Sequence, residues 1–314
     1  FGDSTVKITG TIALLAVTSC RVLPAMSRIL NNSNAIRQAL PYVHGVLSYL
    51  HEIPKSESAD QPHRQGFHSD LRLEKISFRY HGASRNALSG IDLTIKPGQT
   101  IGIIGTSGAG KSTLVDVIIG LLPPSSGRIL LDGKEIDGPS LRAWQALIGY
   151  VPQTPYIAPA SLAENVAFGL RHSDIDYDKV LQCCHLAVMD DFLHQLPDGL
   201  DSFIGERGVK LSGGQRQRVA IARALYHDPE VIIFDEATSA LDSRNEESIQ
   251  KTIYSLKNKQ TLIIIAHRLS TVESCDEIVW LENGKIEMTG SASNVLKNYR
   301  EKHSNSNSSP LNPS

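Results

Sequence analysis

Three short apolar runs punctuate this chain: Ile101-Gly102-Ile103-Ile104, Val231-Ile232-Ile233-Phe234 and Leu262-Ile263-Ile264-Ile265-Ala266. Each is rich in β-branched residues and none alternates with polar positions, the pattern of strands buried on both faces. Strands and helices alternate between them, which predicts an α/β domain. A different pattern occupies the first 50 residues. A weakly polar stretch from Val6 to Val22, with Ile12-Ala13-Leu14-Leu15-Ala16-Val17 at its centre, is shorter than the ~20 apolar residues of a membrane span. It reads either as a core helix or as the end of a membrane helix. Beyond it Ile36, Leu40, Val43, Leu47 and Leu50 recur at alternating spacings of four and three, an apolar helical stripe. Pro41 is expected to kink or break that helix. Residues 53–68 are polar and contain proline, and read as a linker. The Asn-, Ser- and Pro-rich end, from about residue 300–304 to 314, reads as a disordered tail.

Composition narrows the class. At 314 residues the chain has room for one large domain with appendages. A net charge of −2 gives no electrostatic case for a nucleic-acid partner. Cys20, Cys183, Cys184 and Cys275 show no metal-ligand spacing, and the adjacent pair is an unfavourable disulfide. They read as reduced thiols.

The first run leads directly into Gly105-Thr106-Ser107-Gly108-Ala109-Gly110-Lys111-Ser112-Thr113, which fits the Walker A pattern without a mismatch. Its glycines let successive N–H groups converge on a β-phosphate, and the helix opening near Lys111 adds a positive end. Lys111 is placed to reach the β- and γ-phosphates, and the Ser112 hydroxyl to meet Mg²⁺. The second run ends in Asp235-Glu236. Two carboxylates there are by themselves a solvated strand end. Behind a phosphate loop, Asp235 becomes a Mg²⁺ residue. Glu236, expected to point the other way along extended chain, becomes a general base for water. His267 follows the third run, and ligands of open parallel sheets bind beyond the carboxyl ends of the strands. Gln153, in Tyr150-Val151-Pro152-Gln153, offers an amide to Mg²⁺ or to the attacking water. A further element, Leu211-Ser212-Gly213-Gly214-Gln215, lies about 100 residues after the loop and about 20 before Asp235. A second phosphate-binding helix terminus is redundant in one NTPase unless it serves a nucleotide held by another copy.

These motifs, in this order, resemble the nucleotide-binding domain of an ABC transporter over roughly residues 69–297. The resemblance implies an α/β P-loop NTPase fold of the ABC type. An antiparallel β-subdomain would hold Leu71 to Ile95, and a helical subdomain Ser161 to Asp201, with the signature helix starting near Ser212. It implies ATP and Mg²⁺ as ligands and Tyr80 as the aromatic that stacks on adenine. The phosphate loop is Gly105–Thr113, with Ser112, Gln153 and Asp235 at the metal. Glu236, His267 and Gln153 are then catalytic, and Ser239-Ala240-Leu241-Asp242 is the D-loop. Ser212, Gly213, Gly214 and Gln215 would close on the nucleotide of a second nucleotide-binding domain, in a homodimer or a heterodimer.

Phe203-Ile204-Gly205-Glu206-Arg207-Gly208 and Ser161 to Gly169 resemble exporter segments, the first being the loop that touches the membrane domain. Residues 1–52 then resemble the end of an α-helical transmembrane domain in a lipid bilayer, with Arg21 and Arg28 marking the cytoplasmic side. Residues 69–299 form the nucleotide domain, on the cytoplasmic side of the cell membrane. Because a half-exporter carries six membrane helices and the sequence begins at Phe1, it reads as a C-terminal piece of a longer protein. The stretch Arg21 to Leu40 looks most like flippases of lipid-linked oligosaccharides or polysaccharide precursors. A soluble or importer-type ABC ATPase is the alternative.

Overall fold

The computed structural model describes residues 2–52, 66–205, 211–237, 243–257, 259–266 and 268–306. They fall into two units divided between Asp60 and Gln61. The first unit is one helix, α1 (Gly2–Glu52). At a rise of ~1.5 Å per residue it is roughly 75 Å long, against the ~30 Å hydrocarbon thickness of a bilayer. Its stretch Ile8–Leu47 is long and apolar enough to cross a membrane by length and composition. Ile12, Leu14, Leu15 and Val17 point around the whole circumference and are all more than half exposed. The stripe of Ile36, Leu40, Val43 and Leu47 is exposed as well. An apolar surface all round a helix is the signature of a span or a core helix, not of an amphipathic surface helix.

Pro41 does not break this helix, nor does Pro24. Each ring lacks the N–H that would reach the carbonyl four residues back, yet its fixed φ is itself helical. Intact bonds on either side carry the helix across the gap.

In the second unit the chain runs β1 (Leu71–Phe78), β2 (Leu88–Ile95), β3 (Thr100–Ile104), α2 (Lys111–Ile119), β4 (Ser126–Leu131), β5 (Lys134–Glu135) and α3 (Gly138–Gln145). It continues through β6 (Ile148–Val151), α4 (Leu162–Val166), α5 (Tyr177–Leu186), α6 (Asp190–Leu193), α7 (Gly213–Tyr226) and β7 (Val231–Asp235). The last elements are α8 (Ser243–Ser255), β8 (Thr261–Ile265), β9 (Glu277–Glu282), β10 (Lys285–Gly290) and α9 (Ala292–Ser306). One sheet has the order β10-β9-β3-β8-β7-β6, parallel except for the β9–β10 hairpin. The other is antiparallel, with the order β2-β1-β4-β5.

Strand alternation divides the core into two layers. Val231, Ile233, Ile263 and Ile265 face α2 and the antiparallel sheet, whereas Ile232, Phe234, Leu262 and Ile264 face α7 and the helical segment. Because both faces are covered, Val231–Phe234 of β7 and Leu262–Ile265 of β8 show no polar positions, as their sequence implies. The antiparallel subdomain is larger than Leu71 to Ile95. β1 pairs on its other edge with β4, which brings residues 126–135 into the same sheet.

Two boundaries also differ from expectation. Phe67, placed in the linker by sequence, is buried and packs edge-on against Trp144 at 6.0 Å, while its N–H donates to Glu230. The C-terminal end is helical to Ser306, beyond the expected start of the tail. Arg300 pairs with Glu273, and Lys302 bridges Glu282 and Glu287, which ties that last turn to its neighbours.

Candidate nucleotide-binding site

The parallel sheet puts β8 between β3 and β7, with β6 beyond β7. The loops that leave the carboxyl ends of β3, β7 and β6 therefore emerge side by side. The first is Gly105–Gly110. Gly105 lets the loop pass against the end of β9, since a Cβ there would lie 2.2 Å from the Leu281 carbonyl oxygen. Gly110 has φ +103 and would meet the Ala87 carbonyl at 2.8 Å, so that the loop can turn into α2 only with glycine. The Gly284 N–H donates to the Ala109 carbonyl at 3.0 Å and braces the loop from the same side.

Lys111 opens α2 and is nearly buried, at 6% exposure. Its Nζ donates to the carbonyls of Gly105 (3.0 Å) and Thr106 (3.2 Å). Burial pushes its pKa below the ordinary lysine value, and the charges of Glu236 and Asp235 pull it back up. Thr106, Ser107, Gly108 and Ser112 stay exposed around this lysine. Tyr80, just after β1, packs edge-on against Phe78 at 4.9 Å, and its hydroxyl meets Thr113 Oγ1 at 3.1 Å. Tyr80, Ser107, Gly108, Gly110, Lys111, Ser112, Thr113 and Glu236 line one cleft of about 360 Å³. A separate cavity of about 370 Å³, lined by Gly98, Glu230 and Thr261 among others, opens at the opposite, amino ends of the strands. It holds none of the predicted site residues.

The acidic pair is built differently from the sequence expectation. β7 ends at Asp235, and Glu236 adopts φ +50, in the left-handed region. Alternation along extended chain therefore does not set its direction. The turn does, and it is fixed by the Glu236 N–H bonding the Ile265 carbonyl of β8 at 3.1 Å. A non-glycine residue held this way costs on the order of 1–3 kcal/mol. Each acid meets a donor from the exit of β6. The Tyr150 hydroxyl donates to Asp235 Oδ2 at 3.0 Å, and Gln153 Nε2 donates to Glu236 Oε2 at 2.7 Å. Asp116 of α2 lies near Asp235, and burial first and that charge second push its carboxyl pKa up.

Ser212, Gly213, Gly214 and Gln215 form the start of α7. Ser212 Oγ accepts the Gln215 N–H (3.2 Å), and Gln215 Oε1 accepts the Ser212 N–H (2.7 Å), a capping box. None of the four lines the Lys111 cleft. α7 is nevertheless tied to the β6 exit, because the buried Gln217 donates to the Pro152 carbonyl at 3.2 Å. His267, the D-loop Ser239–Asp242 and Glu206–Gly208 lie outside the described residues. Sequence reasoning did not assign Tyr150, Asp116 or Gln217. Their partners come from neighbouring elements, and no local spacing signals them.

A profile of the ABC transporter family matches residues 88–239, from β2 through the acidic pair. The chain belongs to the ABC transporter family. It is 45% identical over 228 residues to an ATP-dependent lipid A-core flippase of Ralstonia nicotianae, covering 72% of this chain and 38% of that one. Against the ATP-dependent lipid A-core flippase of Nitrosococcus oceani it is 37% identical over 294 residues, covering 94% of this chain and 49% of the other. A solved bacterial Atm1-family ABC exporter with ATP bound is similar in fold, with a TM-score of 0.74 at 33% identity. That match covers 87% of this chain and 48% of the exporter. The chain thus spans about half the length of these relatives, or less. Its second unit is an exporter-type ABC domain, a domain that implies ATP binding.

Proposed function

We propose that this chain is the ATP-hydrolysing end of an ABC exporter that moves a lipid-linked saccharide or a related lipid across a membrane. The observation that carries the reading is the Glu236 carboxylate, which lines the Lys111 cleft and is held by Gln153 at 2.7 Å. Lys111 and the N–H groups of Gly105–Thr113 bind the phosphates of ATP, and Tyr80 stacks on the adenine. Glu236 takes the proton of the attacking water, with Gln153 orienting it and His267 as a further contact to the γ-phosphate. Ser112, Asp235 and Gln153 hold Mg²⁺. Their hydroxyl, carboxylate and amide oxygens are the hard donors that this ion selects together with nucleotide phosphates. Bound Mg²⁺ neutralises charge that develops on the β- and γ-phosphate oxygens.

A second nucleotide-binding domain completes the site. The α7 terminus at Ser212, Gly213, Gly214 and Gln215 carries phosphate-binding chemistry but does not line its own chain's cleft. It therefore serves the ATP of a partner, in a homodimer or with a related subunit. The membrane partner is supported by α1 and by exposed Phe168 and Phe203 on the exporter-like segments. Domain limits of 1–52, 53–68, 69–299 and 300–314 serve as working boundaries, adjusted for Phe67 and α9. A saccharide-bearing lipid as cargo follows from the lipid A-core flippases that this chain resembles.

The decisive experiment compares ATP turnover and ATP-dependent dimerisation in the full chain and in its Glu236→Gln variant. Loss of turnover with an ATP-stabilised dimer in the variant is the expected result. Unchanged turnover would remove Glu236 as the base.

A further inference from the structure

We propose that Tyr150 is a positioning residue for the magnesium site, orienting Asp235 through its hydroxyl. The inference rests on the reading of Asp235 as a Mg²⁺ residue and extends it. In the parallel register of β6 and β7, Tyr150 stands opposite Ile233. Asp235 lies two residues further along β7, one side-chain period away, on the same face. The length of a tyrosine spans that offset, and its hydroxyl donates to Asp235 Oδ2 at 3.0 Å. The residue is 39% exposed between Gly149 and the buried Val151, so the strand does not need its bulk for the core.

Asp235 has reason to need a donor. It sits at the last position of β7, directly before the left-handed turn at Glu236, and Asp116 of α2 places a second carboxyl close enough to sense its charge. Before a cation arrives, repulsion from that side would turn the carboxylate away. The Tyr150 hydroxyl occupies one oxygen, and the other would then be the one to meet a cation. Gln153 treats Glu236 in the same way three residues later, so the exit of β6 presents one donor to each acid. Hydrogen-bond partners of metal-ligating carboxylates typically change metal affinity by roughly 10–100-fold when removed.

The test is binding of the non-hydrolysable analogue AMP-PNP to the full chain in detergent, by calorimetry, in MgCl₂ and separately in EDTA. The ratio of the two affinities isolates what the metal contributes. In Tyr150→Phe, affinity in EDTA should be unchanged and the gain given by Mg²⁺ should shrink by about 10-fold. An unchanged gain would overturn the role of Tyr150. An equal loss in both conditions would make the residue merely structural, and would overturn it too. Should the parent chain itself gain nothing from Mg²⁺, the magnesium reading would fail before the variant is considered.

Discussion

Gln153 Nε2 lies 2.7 Å from Glu236 Oε2, so an amide from the end of β6 holds the carboxylate that begins the turn after β7. The backbone of Glu236 is fixed at the same time by its N–H bond to Ile265. A side chain pinned at both ends is preorganised, and small misplacements of a catalytic group can cost about 10²-fold in rate. Gln153→Ala should therefore lower kcat by up to that order while leaving the affinity for ATP measured in EDTA nearly intact. Steady-state turnover beside equilibrium ATP binding decides it. A proportionate loss of binding would place Gln153 in ground-state recognition instead.

Lys111 gives a prediction with opposite signs in the two states. Its burial depresses its pKa, so the charged lysine disfavours the fold below that pKa. The penalty fades as pH rises from the depressed value towards the ordinary 10.5, because the unfolded chain there holds more protons. Lys111→Met should leave the ligand-free chain as stable as the parent or more so at neutral pH. ATP at 100 times the parental Kd should stabilise the parent by about 2.7 kcal/mol and the variant by almost nothing. Thermal melts with and without nucleotide read both effects, and an equal ATP shift in the two proteins would count against Lys111 as the phosphate ligand.

Much of the fold was legible in the sequence. The three apolar runs became β3, β7 and β8, and Lys111 and Ser212 stand at the helix starts that their contiguous motifs predicted, with Asp235 at the end of its strand. Relationships across strands were not legible. Alternation suggested the wrong cause for the direction of Glu236, since a single left-handed residue resets the chain and no pattern encodes it. The partners of Tyr150 and Gln217 depend on which strands and helices become neighbours. Pro41 misled as to a break, because one missing N–H is a local defect that a long helix absorbs.

The buried thiols make a pH prediction that involves no catalytic group. Burial pushes Cys184 and Cys275 up to about 12 and Cys183 up to about 11. A thiol whose folded pKa is raised stays protonated in the fold while the unfolded chain ionises. Its contribution is whole below the ordinary thiol value of 9.0 and declines as pH rises towards the folded value. Each thiol can remove up to about 1.4 kcal/mol per pH unit in that window. Urea denaturation at pH 8 and pH 10 should show Cys275→Ala to be less pH-sensitive than the parent. Identical slopes would mean that Cys275 ionises as easily in the fold as out of it.

Arg223 of α7 joins the signature helix to the segment after Gln153. Its guanidinium donates to the Asn165 carbonyl at 2.7 Å, the Tyr156 carbonyl at 2.8 Å and Asn165 Oδ1 at 3.2 Å, and it lies over the Phe168 ring at 4.8 Å. Burial lowers its pKa, so the charge is retained at a cost that these bonds offset. Arg223→Ala would leave the Asn165 acceptors and the Tyr156 carbonyl without this donor and should destabilise the domain by about 1.5–3 kcal/mol, the scale of hydrogen bonds to a charged group. Arg223→Lys keeps the charge but cannot reproduce the planar fork, so it should recover only part of that stability. The two variants separate charge from geometry. If urea denaturation placed lysine level with arginine, the charge alone would be holding the segment. If it placed lysine level with alanine, the fork that spans Tyr156 and Asn165 would carry the whole effect.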